Sequence, residues 1–151
     1  MLALANDGSG TGLGGEFFSN NPSGTNVMFA TTPLVGERAE IATTNGFVGQ
    51  VDFYYSSSAA STVYVRDQSG VVLNQFSLAA NSTSETSPFD TWTFASLAFA
   101  GQAYSIDFSD TVGVAAFDNV TVNAVPLPAA LLLFPFGAAA LGAAARRKRA
   151  A

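Results

Sequence analysis

Hydrophobic and polar residues alternate with a period of two along much of the first 125 residues, and no stretch there carries a helical period. The clearest run is 47–55. Phe47, Gly49, Val51, Phe53 and Tyr55 fall on one face, and Val48, Gln50, Asp52 and Tyr54 on the other. Such a run predicts a strand with one buried side. Residues 62–78 read as a hairpin, with Val63 and Val65 inward, Tyr64 and Arg66 outward, and Asp67-Gln68-Ser69-Gly70 as its turn. A strand over 91–99 holds the only tryptophan, Trp92. Gly101-Gln102 predicts a turn, after which Tyr104, Ile106 and Phe108 face inward. The last strand covers 112–122. Its inward set changes parity between Phe117 and Val120, which predicts a bulge at Asp118-Asn119. Upstream, shorter strands are expected at 16–18, 26–30 and 37–43, and Asn45-Gly46 is a strong turn dipeptide.

Roughly seven to nine short strands at about ten-residue spacing predict an all-β fold: an antiparallel β-sandwich, jelly-roll-like, over 16–123. Thirteen Phe, four Tyr and one Trp supply its interior. Residues 1–15 are expected to be a flexible lead-in or the remnant of a signal peptide. Met1–Ala5 reads as the end of an apolar leader with a small-residue site, so the start of the chain is expected to be truncated.

The pattern changes at 124–151. Val125-Pro126-Leu127-Pro128-Ala129 opens a tail in which 127–145 are 19 consecutive uncharged residues, followed by Arg146, Arg147, Lys148 and Arg149. As a helix, 19 residues span roughly 29 Å, about the hydrocarbon thickness of a bilayer. Flanking cations stay cytoplasmic, so the tail predicts one C-terminal transmembrane helix, with the sandwich outside as an ectodomain. The proline motif, apolar span and basic end together resemble the PEP-CTERM sorting signal in its Val-Pro-Leu-Pro-Ala variant, with Leu127 where the commoner motif has Glu. The resemblance implies a Gram-negative exported protein. It would be held in the inner membrane, processed by an exosortase-type membrane peptidase, and passed to the cell surface or the extracellular polysaccharide. Segments 46–55 and 116–122 are loosely similar to ectodomains that precede such tails, which resemble lectin-like and galactose-binding-like sandwiches.

Charge and composition narrow the chemistry. All 11 acidic residues precede the tail, against only Arg38 and Arg66. A domain this acidic repels nucleic acid, so none is expected as a partner. The chain has no Cys and no His, which excludes disulfides, thiolate catalysis, His-based triads and His- or Cys-ligated metal. The acids form no evident pair, so the protein is expected not to be an enzyme. A structural calcium between Glu16 of the first strand and Asp118 of the last is the metal site the pattern offers; no other cofactor is expected. Tyr54, Tyr64 and Trp92 are the candidates for stacking on sugar rings. Two roles fit: a non-catalytic matrix protein, or a carbohydrate-binding module on the same tail.

Overall fold

The computed structural model describes residues 2–6, 18–23, 26–30, 38–83 and 89–125. They form strands β1 (Leu2–Asn6), β2 (Asn26–Ala30), β3 (Glu40–Ser57), β4 (Ser61–Arg66), β5 (Val72–Leu78), β6 (Thr93–Asp107) and β7 (Ala115–Ala124), with a 3-10 turn at Ser109–Thr111. The strands join in one sheet of order β1-β2-β7-β3-β6-β4-β5, and every neighbouring pair is antiparallel. The all-β, antiparallel expectation is met. Among the described residues no helix is long and apolar enough to cross a membrane. The expected span at 127–145, the motif beyond Val125, the basic cluster and Glu16 lie outside the described residues.

Two strands are longer than the sequence pattern predicts. β3 has 18 residues and β6 has 15, and each runs through a dipeptide expected to be a turn. Asn45-Gly46 and Gly101-Gln102 stand at the same level of the β3–β6 ladder, where the register slips between Ala42 and Phe47 and again between Val48 and Gln50. Gly46 at φ +69 and Gly101 at φ +87 bend the two strands in a conformation that a side chain resists. Gln102 ties the bends together, its Nε2 donating to the Asn45 carbonyl at 2.9 Å. Bulges and hairpin turns call for the same residues, and here long-range pairing decides between them.

The paired bends divide the sheet into two layers. The second half of β3 pairs with the start of β6 and with β7, beyond which lie β2 and β1. The first half of β3 pairs with the end of β6, which carries β4 and then β5. Phe53 of β3 meets Phe76 of β5 edge-on, with ring centroids 6.1 Å apart, although β6 and β4 separate their strands in the sheet. Only a sheet curled back on itself allows that contact, so the fold is a sandwich made from one continuous sheet. Between the layers Phe47, Val51, Phe53, Val63, Val65, Ile106, Phe108 and Phe117 are no more than 1% exposed. Burial of each such side chain stabilises the fold by about 1.5–3 kcal/mol.

The predicted bulge in β7 is present. Tyr54 pairs with Asp118 and Asp52 with Thr121, so β7 uses three residues where β3 uses two, and Asn119 takes φ +51. Leu2–Asn6, expected in a lead-in, instead forms an edge strand in full register with β2. A short apolar run reads equally well as leader or strand until its pairing is known.

Candidate functional site

Alternation along β3 turns Val51, Phe53 and Tyr55 into the core and leaves Gln50, Asp52 and Tyr54 on the outer face of the first layer. Register sets Phe94 and Asp118 on either side of Tyr54, Ser96 and Thr121 on either side of Asp52, and Ala98 beside Gln50. Three rows make a strip about 13 Å long. The Tyr54 and Phe94 rings meet edge to face with centroids 5.3 Å apart, and Phe94 is 55% exposed. Next to them Gln50 Nε2 donates to both Asp52 carboxylate oxygens, at 3.1 and 2.8 Å, which fixes the two side chains as one polar unit.

Of the three aromatics expected to stack on sugar, only Tyr54 belongs to this strip. Trp92 precedes β6 and packs against a second apolar cluster of Phe18, Val27, Phe89 and Ala116. Its Nε1 donates to the Ser19 carbonyl at 2.8 Å, so it clamps the 18–23 segment to the sheet. Ala116 pairs with Ser56 and with Phe29, which places that cluster on the same outer face, one row beyond Tyr54. Tyr64 lies on the other layer, where its hydroxyl donates to Asp110 and the Arg66 guanidinium stands 5.1 Å from its ring centre. The hydrogen bond to Asp110 raises the Tyr64 pKa above its ordinary value. The sequence pattern does not single out Phe94, the partner that completes the strip. Its parity opposite Ala95 and Leu97 is visible there, but its place beside Tyr54 needs the register.

Both carboxylate oxygens of Asp118 are engaged by backbone amides. Its Oδ2 accepts from the Ser23 amide and its Oδ1 from the Asn119 amide, each at 2.7 Å. Its expected co-ligand Glu16 lies outside the described residues, among which no group of three acidic side chains stands close enough to hold a metal.

A second surface lies on the outer face of the other layer, on the far side of the bends. A polar groove of about 430 Å³ is lined by Arg38, Glu40, Thr43, Asp67, Gln68 and Tyr104 among others. Tyr104, expected inward, is half-buried at this groove. Beneath the groove Asp107, 2% exposed, accepts from Arg66 Nε and Nη2 at 2.9 Å each, and from the Ser109 amide at 2.9 Å. Burial pushes the Asp107 carboxyl up, but the hydrogen bonds from Ser109 and the Arg66 guanidinium outweigh it and hold the group below the usual carboxylate range. Arg38 approaches the same oxygen only through Nε at 3.7 Å. Asp90 is likewise held low, chiefly by hydrogen bonds from the Thr83 backbone and hydroxyl.

Together these features define a curled antiparallel β-sandwich with an open aromatic–polar strip on one layer and a polar groove on the other. No protein family matches the sequence, and no curated protein matches it. Twelve chains among solved structures are similar in shape, and three of them serve as examples. CsCBM6-3 from Clostridium stercorarium, in complex with cellobiose, has 17% identity and a TM-score of 0.46 over 72% of this chain and 80% of that one. A glycoside hydrolase family 43 arabinoxylan arabinofuranohydrolase from Bacillus subtilis, in complex with cellotetraose, has 12% identity and a TM-score of 0.48 over 82% of this chain and 24% of that one. The enzymatically active domain of Bacteriophage CBA120 tailspike protein 4 has 18% identity and a TM-score of 0.38 over 83% of this chain and 18% of that one.

Proposed function

We propose that this chain is an exported, non-catalytic surface protein whose sandwich binds an extracellular polysaccharide along the Tyr54–Phe94 strip. In this reading the tail at 124–151 holds the precursor in the inner membrane, N-terminus out, for an exosortase-type peptidase. One observation carries the binding assignment: an exposed aromatic pair beside a fixed carboxylate–amide unit. The C–H face of a pyranose ring fits an aromatic plate, while its hydroxyls need acceptors and donors at the rim. Asp52, Gln50, Ser96 and Thr121 supply both, in two rows running away from the rings. The non-catalytic part rests on the acids. Asp90 and Asp107 are held below the usual carboxylate range by their hydrogen-bond partners, which suits neither to act as a proton donor.

The test is retention of the full-length chain on insoluble polysaccharides, in a detergent without a sugar headgroup. Tyr54→Ala and Phe94→Ala should each weaken retention about tenfold, with little change in melting temperature. Retention that both variants keep unchanged removes the strip from the binding site.

A further inference from the structure

We infer that the groove beside Asp107 is a second, separate binding site, and that it takes a neutral sugar unit rather than an acidic or basic ligand. The inference deepens the glycan-binding reading and shares with it only the class of ligand. Its volume, about 430 Å³, lies at the small end of the range for small-molecule sites. Two charged side chains on its wall keep polar atoms to spare among the described residues. Asp107 is already matched by Arg66, so the Nη atoms of Arg38 are not held by that carboxylate, and the Arg38 side chain is 45% exposed. They stand beside Gly70, where an added Cβ would lie 3.4 Å from Nη1. Glu40 is exposed and has no ion pair or side-chain hydrogen bond among the described residues. One wall therefore presents a donor fork and an acceptor carboxylate two residues apart, each strengthened by its charge.

The charge balance selects the ligand. An anion drawn to Arg38 meets Glu40 and Asp67, and a cation drawn to those two meets Arg38. Adjacent hydroxyls satisfy both groups at once, because each hydroxyl gives a proton to Glu40 and accepts one from Arg38. Gln68 and Thr43 add neutral donors and acceptors to the same wall. Asp67 is partly occupied, its Oδ1 accepting from the Ser69 and Val71 amides at 2.8 and 2.9 Å, so it serves mainly to shape the turn.

The experiment is an NMR titration of the full-length chain, in the same detergent, with methyl glucopyranoside, methyl galactopyranoside and glucuronate. A neutral glycoside should shift the resonances of Glu40, Gln68 and Tyr104, and Glu40→Ala should weaken that binding about tenfold while Tyr54→Ala leaves it unchanged. Among the described residues Glu40 makes no ion pair or side-chain hydrogen bond, and a melt of the variant alongside the titration keeps the test clear of unfolding. Three results overturn the inference: no shift at those residues with either neutral sugar, a stronger response to glucuronate, or full affinity in Glu40→Ala. Groove shifts without polysaccharide retention at the strip support this site and sink the strip. Retention without groove shifts does the reverse.

Discussion

At Asp107 a nearly buried carboxylate gathers the Arg66 guanidinium, the Ser109 amide and the edge of Arg38, and so pins the end of β6 to β4 and to the turn that follows. Asp107→Asn leaves Arg66 without its counter-charge and should lower stability by about 3 kcal/mol in urea denaturation. The pH dependence follows from the lowered pKa. A carboxylate held low in the folded state stabilises fully above its unfolded value, near 4, and loses that contribution as pH falls through the folded one. The melting temperature of the native chain should therefore drop below about pH 4, and that part of the drop should be missing in Asp107→Asn. Little of this network is legible in the sequence. Arg66 and Asp107 both alternate away from the apolar positions, but their pairing spans 41 positions and depends on β4 docking beside β6. Tyr54 is readable because alternation alone fixes its side of β3; Tyr64 and Trp92 are readable as aromatics, not as an ion-pair neighbour and a clamp.

The elements that shape the molecule are the two bent strands. Both glycines at the bend have positive φ, but their surroundings differ. A Cβ at Gly46 would lie 2.8 Å from the Ala103 carbonyl and 2.7 Å from Gln102 Nε2, whereas one at Gly101 would meet nothing within 4 Å. Gly101→Ala should then cost only the backbone strain, about 1 kcal/mol, and Gly46→Ala clearly more, because a backbone atom must also move. Paired urea melts of the two variants check the order; equal losses would mean the bend is not as close as described. Periodicity finds the strand segments on each side of both bends, and the β7 bulge as well. It cannot join the halves, because Asn-Gly and Gly-Gln punctuate a hairpin and a bulge alike.

For the whole molecule, charge and hydropathy divide the chain into an acidic sandwich and an apolar, basic-ended tail. Replacing Arg146, Arg147, Lys148 and Arg149 by neutral residues should disturb membrane orientation and processing, read by cell fractionation and by the size of the mature chain. Unchanged fractionation and size would detach the tail from sorting. The sandwich follows from composition and strand spacing, whereas the curl that brings Phe53 against Phe76 comes from contacts between strands far apart in the sheet. One further consequence concerns mechanical load. The chain leaves the sandwich through β7, an interior strand bonded to β2 on one side and β3 on the other. Under the proposed function, tension between the C-terminus and a polymer held at Tyr54 would be carried as shear across the β3–β7 ladder, many hydrogen bonds resisting together, instead of peeling an edge strand away one bond at a time. A force-spectroscopy pull from the C-terminus should accordingly meet a single high rupture peak.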